Sequence, residues 1–265
     1  MRSLLCWLGF GVLVSAADKP NVLFLLSDDH SYPYLSCYGD ANVRTPVLDK
    51  LAAEGMKFRK FFTSAPQCVP SRAAYLSGRS PVAARITRFS SPLPRDVVTF
   101  PEVLKKEAGY HVGVVGRSYH LDGSGKGDDG LGKFLFDGGY KTFADRFDVV
   151  QGGSDAQAVE QAAAFLEGRP KDKPFVLTLA FIATHAEDQN PKQYLPQPES
   201  MALYRDVTVP VPKTATDAHF RRLPPFLANA KNEGRNRWTW RFDTPERYQE
   251  YMKNYYRLAT EAEWE

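Results

Sequence analysis

The sequence has few cysteines, a small net charge and no long apolar run after its first residues. Three of the 265 residues are cysteine, too few for the disulfide framework that holds small secreted modules together. The formal net charge is +3, and the basic residues are scattered apart from a small cluster at Arg235, Arg237 and Arg241. Nucleic-acid-binding chains usually carry a concentrated basic stripe, so we expect no nucleic-acid partner and interpret the cluster as solvated surface.

The longest apolar run after the N-terminus, at 175–183, has the length of one buried strand and is too short to cross a bilayer. Residues 1–17 have the pattern of a signal peptide. Arg2 supplies the positive charge, residues 4–14 the apolar run, and residues 15–17 the small residues of a cleavage site. We therefore predict export, to the periplasm or outside the cell, with no membrane contact after the signal is removed. A buried first strand or helix is the alternative.

Short apolar runs alternate with helical patterns along most of the chain. Strands are predicted at 21–26, 56–62, 110–116 and 175–183, and helices at 45–55, 70–78, 99–109, 154–168 and 244–260. This alternation predicts an α/β fold with a mostly parallel sheet that has helices on both faces. Residues 186–243 are rich in proline and charge, and so long an irregular segment is usually functional or disordered.

Cys68 is one of two cysteines that remain after signal cleavage, and the other is Cys37. In an exported protein these two can simply form a disulfide. The residues after Cys68 suggest another role, because V-P-S-R begins a predicted helix whose N–H groups and Arg72 both attract anions. A thiolate nucleophile would suit this place, and so would a modified cysteine that holds an oxyanion substrate.

Polar residues follow three of the predicted strands, at the edge where ligands bind in such sheets. Asp28 and Asp29 come directly after the first strand, where a hard divalent ion would relieve their repulsion, although such a pair can also cap a turn. Arg117 and His120 follow the strand at 110–116, and His185 follows the last strand. One histidine at a strand end is more often structural, but two of these beside a carboxylate pair favour a catalytic site.

Together these residues resemble the sulfatase family of the alkaline-phosphatase-like superfamily. C-V-P-S-R at 68–72 fits the family signature C-x-P-S-R, the Asp pair follows the first strand as in the family, and segment 45–81 is similar nearly throughout. The resemblance covers about residues 19–260 and is weakest over 186–243. It implies the alkaline-phosphatase-like sulfatase core, with 18–265 as the N-terminal catalytic domain and 186–243 as a substrate loop segment.

The resemblance also implies the chemistry of Cys68. A formylglycine-generating maturation enzyme would oxidise this cysteine to an aldehyde, and the hydrate of that aldehyde would attack sulfur and then expel sulfate. Asp28, Asp29 and the residue 68 hydrate would hold Ca2+, which orients the hydrate and polarises a sulfate oxygen.

The remaining roles are implied in the same way. Arg72 would steady the hydrate, His120 would stabilise it, and His185 would be the acid for the leaving alcohol. Arg117 stands where the family has lysine, so it keeps the positive charge for the sulfate oxygens in a planar fork. Glu187 stands where the family usually has proline.

We therefore expect an exported, Ca2+-dependent sulfuric ester hydrolase that acts on sulfated carbohydrates or aryl sulfates. Two alternatives stay open: a phosphonate or phosphate monoester hydrolase of the same superfamily, and a truncated or non-catalytic relative that binds carbohydrate. Tyr204, Arg205, Trp238 and Trp240 are candidates for sugar contacts, and packing is an equally good interpretation of them. Because the family's D-N-G calcium motif and a further lysine follow a helix like the one at 244–260, we expect the chain to be truncated at its C-terminus and poorly active.

Overall fold

The computed structural model describes residues 19–264 except for 89, 90, 92, 117–143, 188 and 189. Its strands are β1 (Val22–Leu26), β2 (His111–Gly116), β3 (Val149–Gln151) and β4 (Phe175–Ala180). Within the described residues these form one sheet in the order β1-β4-β2-β3, and every neighbouring pair is parallel. The predicted parallel α/β sheet is thus confirmed.

Helices connect the strands and continue after them. They are α1 (Pro46–Glu54), α2 (Cys68–Ser77), α3 (Phe100–Lys106), α4 (Asp155–Gly168), α5 (Asp217–Phe220), α6 (Pro225–Ala228), α7 (Glu233–Arg241) and α8 (Pro245–Trp264). Two of them begin with a side-chain cap, since Thr99 and Glu102 form a capping box at α3 and Ser154 accepts a hydrogen bond from the Gln157 N–H at α4. Among the described helices, none has the length and apolar character that crossing a bilayer needs.

Helices cover both faces of the sheet. On one face Val69 and Ala73 of α2 pack with Val112 and Val114 of β2 in a buried cluster. The opposite face is covered by α4, whose buried side chains pack against alternate residues of β2 and β4. The members of this second cluster include Val115, Ala158, Ala162, Phe165, Leu177 and Leu179. Successive strand residues point to opposite faces, which is why one strand serves both clusters.

The irregular segment after β4 packs against α8. Met252, Tyr255 and Tyr256 of α8 are buried with Tyr194 and Tyr204 from the irregular segment in a third cluster. The aromatic stripe of the last predicted helix therefore forms core contacts, as its spacing indicates. The long segment is built from turns and short helices, and this packing orders it.

Two of the strand predictions differ from the structure. Residues 56–62 form no strand, and Phe61 and Phe62 are each 83% exposed, because no neighbouring strand in the described chain pairs with them. β1 is an edge strand of the described sheet and pairs with β4 alone, so Leu23 and Leu25 are 51% and 47% exposed and not buried on both faces. β3 is only three residues long, and its sequence gives too short a pattern to predict.

Candidate active site

Cys68 is the first residue of α2, and Gln67 before it has extended backbone angles. Pro70 fits the first turn because the N–H groups there have no partner within a helix. One turn further on, Arg72 is buried, and its charge acts on the Cys68 thiol. The local sequence therefore places a half-buried cysteine at a helix N-terminus near a buried cation.

Asp28 follows β1 and is also buried. Its Oδ2 lies 3.3 Å from Nη2 of Arg72, so α2 and the end of β1 are joined by a buried ion pair. Charges removed from water in this way need a partner of opposite sign, because an unpaired buried charge is strongly unfavourable. The pair fixes Cys68 relative to the carboxyl end of β1.

The unmodified Cys68 thiol is a weak acid in this setting. The pKa of the thiol is raised to about 11, first by burial and then by the Asp28 charge, while the Arg72 charge lowers it in part. At neutral pH roughly one thiol in ten thousand would be ionised at such a pKa. A thiolate nucleophile is therefore disfavoured at neutral pH, and the modification of Cys68 stays a prediction. Cys37 and Cys68 are both free, so they do not form the alternative disulfide.

The turn after β4 is held against the Asp pair by backbone hydrogen bonds. The Asp28 N–H donates to the Ala183 carbonyl at 3.1 Å, and the Thr184 N–H donates to the Asp28 carbonyl at 2.8 Å. Thr184 also donates through its hydroxyl to the Asp29 carbonyl at 3.1 Å. Asp29 has φ of 61°, a left-handed conformation that aspartate tolerates better than most residues. The structure thus brings the residue preceding His185 into direct contact with the Asp pair.

His185 directly follows this turn and is half-buried. Its Nδ1 lies 2.5 Å from the Ala186 carbonyl, and because a carbonyl oxygen only accepts, Nδ1 carries the proton. The His185 side chain borders a cavity of about 240 Å³ whose walls come from the turn, the start of α4 and the end of α8. A histidine fixed at one nitrogen beside a cavity can exchange a proton through the other nitrogen.

Asp155, the first residue of α4, is a functional candidate that the sequence does not reveal. Its Oδ1 accepts the Ile182 N–H at 2.6 Å and its Oδ2 accepts the Ala183 N–H at 2.9 Å. One carboxylate therefore clamps two successive peptide groups of the turn that carries His185. The sequence shows Asp155 only as an acidic residue at the start of a helix. Its partners could not be predicted because they lie 27 and 28 residues away in the chain.

Asp28 and Asp29 supply two carboxylates, which are the hard oxygen donors that Ca2+ takes. Among the described residues, no group of three or more His, Cys, Asp or Glu is arranged to hold a metal, so the predicted set of Asp28, Asp29 and Cys68 does not stand out as one. Ca2+ usually takes six to eight oxygens. The donor types fit calcium, but this part of the chain offers only a fraction of its ligands.

Other predicted site residues have different outcomes. Arg117 and His120 lie outside the described residues, and β2 ends at Gly116 just before them. Gly116 has φ of +81°, and a Cβ there would lie 2.2 Å from the Ala180 carbonyl oxygen, so only glycine fits where β2 ends beside β4.

Tyr204 is a packing residue, because it is buried and its hydroxyl lies 2.5 Å from Thr260 Oγ1.

The sulfatase family model matches residues 20–264, nearly the whole chain. The chain belongs to the sulfatase family. It is 28% identical over 209 residues to an N-acetylglucosamine-6-O-sulfatase of Bacteroides thetaiotaomicron, a match that covers 75% of this chain and 36% of that protein. It is 40% identical over 126 residues to arylsulfatase A of Homo sapiens, covering 45% of this chain and 24% of that protein. This sulfatase-family chain therefore spans well under half the length of these curated relatives.

Solved structures share the fold of this sulfatase-family chain. A phosphonate monoester hydrolase of Agrobacterium radiobacter has a TM-score of 0.68 at 19% identity, with 93% of this chain and 57% of that chain covered. A protein solved in complex with its substrate D-glucosamine-2-N,6-O-disulfate has a TM-score of 0.64 at 20% identity, with 92% and 60% covered. These identities show the fold alone, and they confirm the alkaline-phosphatase-like core that the resemblance implies.

Proposed function

We propose that this protein hydrolyses sulfuric esters of carbohydrates, using a formylglycine made from Cys68 and a bound Ca2+. The observation that carries the proposal is the position of Cys68 at the start of α2, fixed to the end of β1 by the buried Arg72–Asp28 pair. A sulfate ester is an anion, and a helix N-terminus with a buried arginine near it attracts anions. Membership of the sulfatase family supports the same reaction.

The residues of the chain act on the substrate from two sides. The α2 N-terminus attracts the sulfate group, Arg72 steadies the aldehyde hydrate at position 68, and this hydrate supplies the nucleophilic oxygen. His185, in its doubly protonated form, donates the Nε2 proton to the departing alcohol and keeps the proton on Nδ1. Arg117 and His120 are proposed to bind sulfate oxygens and to stabilise the hydrate, on the basis of sequence alone.

Asp28 and Asp29 are the residues that would hold Ca2+. A calcium ion at this place would withdraw electrons from a sulfate oxygen and add positive charge beside the sulfur. Asp28 is already paired with Arg72, so a cation at the Asp pair would share this carboxylate with the guanidinium. The remaining ligands would come from residues outside the described part of the chain or from water.

Sulfated carbohydrate is the substrate class that we propose. Two relatives support it: the Bacteroides thetaiotaomicron protein is named an N-acetylglucosamine-6-O-sulfatase, and the structural neighbour was solved with a glucosamine disulfate substrate. Conversion of Cys68 would need a formylglycine-generating maturation enzyme. We also propose that residues 1–17 direct export. The enzyme would then act on sulfated carbohydrates in the periplasm or outside the cell.

The second candidate is hydrolysis of phosphonate or phosphate monoesters, which the fold shared with the Agrobacterium enzyme favours. Two parallel assays decide between the candidates. The protein, co-expressed with the maturation enzyme and supplied with Ca2+, is given 4-nitrophenyl sulfate, 6-sulfated N-acetylglucosamine, 4-nitrophenyl phosphate and a phenyl phosphonate. We expect slow but measurable turnover of both sulfate esters, in keeping with the poor activity expected from the sequence, and the Cys68→Ala variant is the control. Faster turnover of the phosphorus esters would favour the second candidate.

A further inference from the structure

Residues 213–241 have an excess of basic over acidic residues. The segment contains seven basic residues: Lys213, Arg221, Arg222, Lys231, Arg235, Arg237 and Arg241. Its acidic residues are two, Asp217 and Glu233, whereas the whole chain has 34 basic against 31 acidic residues. Outside the segment, acidic residues therefore outnumber basic ones. Arg237 is paired with Glu233 and Arg241 is bound to Gln193, so five of the seven are without such a partner among the bonds described. We call the surface of this segment around Arg235, Phe220 and Trp238, with its exposed basic residues, the basic–aromatic face.

Arg235 is the centre of this face. Its guanidinium carbon lies 4.4 Å from the ring centre of Phe220 and 4.7 Å from that of Trp238, so two aromatic rings hold the cation. Within the described residues no carboxylate pairs with it. Trp238 remains 37% exposed, and the four basic residues that precede α7 are exposed as well. An oriented guanidinium beside an exposed indole can bind an anionic group and a ring face together.

The basic–aromatic face is connected to the candidate active site. The Arg241 Nε, at the end of α7, donates to Gln193 Oε1 at 2.8 Å. The Gln193 Nε2 in turn donates to the Glu187 carbonyl at 3.1 Å, and the Glu187 N–H donates to the Gln193 carbonyl at 2.6 Å. Glu187 is two residues after His185, so these bonds fix α7 against the loop that continues from the proposed acid. Gln193 is fully buried, which makes the connection rigid.

We propose that the basic–aromatic face binds a sulfated polysaccharide, as an extension of the site that holds the ester being cleaved. A guanidinium fork matches the oxygens of a sulfate group, and the face of an indole matches the apolar face of a sugar ring. A chain with repeated sulfates can contact several of the exposed cations of this face at once, whereas a single sugar can contact few. The relation to hydrolysis rests on the proposed function, but binding itself does not.

Binding is measured by titration calorimetry with the Cys68→Ala variant, so that no turnover is needed. The probes are dextran sulfate, neutral dextran of the same length and duplex DNA. We expect dextran sulfate to bind, neutral dextran not to bind, and affinity to fall as salt rises, because screening weakens contacts between exposed charges. Arg235→Gln should weaken binding about tenfold, the effect of one charge-assisted hydrogen bond, and Trp238→Ala should also weaken it.

Arg79→Gln is the matched control, since it removes one exposed arginine outside the face and should leave affinity within about twofold. Thermal unfolding shows whether each variant is folded. If Arg235→Gln unfolds, the triple variant of Lys213, Arg221 and Arg222 to Gln tests the same surface. Equal losses for Arg79→Gln and Arg235→Gln would overturn the proposal. So would DNA binding as tight as dextran sulfate binding with no effect of Trp238→Ala, which would show a surface for any polyanion.

The hydrolysis and binding experiments can distinguish failure of the proposed function from failure of the proposed binding face. If sulfate esters are not cleaved but dextran sulfate binds as described, the proposed function fails and the face stands. If sulfated N-acetylglucosamine is cleaved but the variants leave binding of dextran sulfate unchanged, the proposed function stands and the face does not serve this purpose.

Discussion

Arg72 and Asp28 show how a single pair of residues determines the geometry of the site. Both side chains are almost fully buried, with 5% and 9% of their side-chain surface exposed. The guanidinium therefore has two effects. It neutralises the carboxylate at the end of β1, and its positive charge acts on Cys68. A lysine at position 72 would keep the charge but not the planar fork, so it would not restore both contacts.

Arg72→Gln should destabilise the fold severely, because it leaves the Asp28 carboxylate buried without a cation. Breaking a buried pair of this kind typically costs about 3–5 kcal/mol. Arg85→Gln is the matched control, since the Arg85–Asp96 pair is 57% and 72% exposed and such surface pairs contribute about 0–1 kcal/mol. The free energy of unfolding is measured in urea, without added calcium. Equal losses for the two variants would show that the buried pair does not stabilise the fold.

At the scale of elements, the site is assembled where β1, β4, α2 and α4 meet. The ends of β1 and β4 are joined by the hydrogen bonds between Asp28 and the 183–184 turn, and α4 holds the same turn from the other side through Asp155. We infer that Asp155 positions His185 although it does not touch the substrate.

Asp155→Asn tests this positioning role by hydrogen exchange. The amide oxygen can accept one of the two N–H groups, but the NH2 group cannot accept the other, so the Ile182 or Ala183 amide should exchange about tenfold faster or more. Ser154→Ala is the control, because it removes the N-cap of the same helix and leaves the carboxylate in place. Amides of Val176 and Leu177 in β4 should be unchanged in both variants. Equal exchange at 182 and 183 in Asp155→Asn and Ser154→Ala would contradict the clamp.

Elements with a long or strongly periodic pattern could be predicted from the sequence, and others could not. β2, β4, α4 and α8 have such patterns, and the structure confirms them. The prediction of a strand at 56–62 is wrong. Alternation of apolar and polar residues is only a local signal, and a strand also needs a neighbouring strand to pair with. The same holds for the candidate site. The C-V-P-S-R segment could be recognised because its residues are adjacent in the sequence, whereas the contacts of Asp155 with residues 182 and 183 form only when α4 packs beside β4.

For the whole molecule, family membership and coverage must be considered together. The sulfatase family model matches residues 20–264, while the chain covers 36% of its Bacteroides relative and 60% of the glucosamine-disulfate neighbour. The described residues contain a structured helix N-terminus, an acidic pair and a histidine at one edge of the sheet. Among these described residues, no group of three or more His, Cys, Asp or Glu is placed to hold a metal ion. The activity that we propose for these residues depends on the chemical state of Cys68.

A direct measurement of this activity relates sulfate release to the chemical state of Cys68. The protein is produced with graded amounts of the maturation enzyme, and the aldehyde fraction is determined by mass spectrometry of the tryptic peptide 61–72. Each preparation is then assayed for sulfate release from 6-sulfated N-acetylglucosamine in the presence of Ca2+. We predict that release rises in proportion to the aldehyde fraction and is absent from Cys68→Ala. Aldehyde-bearing protein that releases no sulfate, or sulfate release by Cys68→Ala, would contradict the central claim.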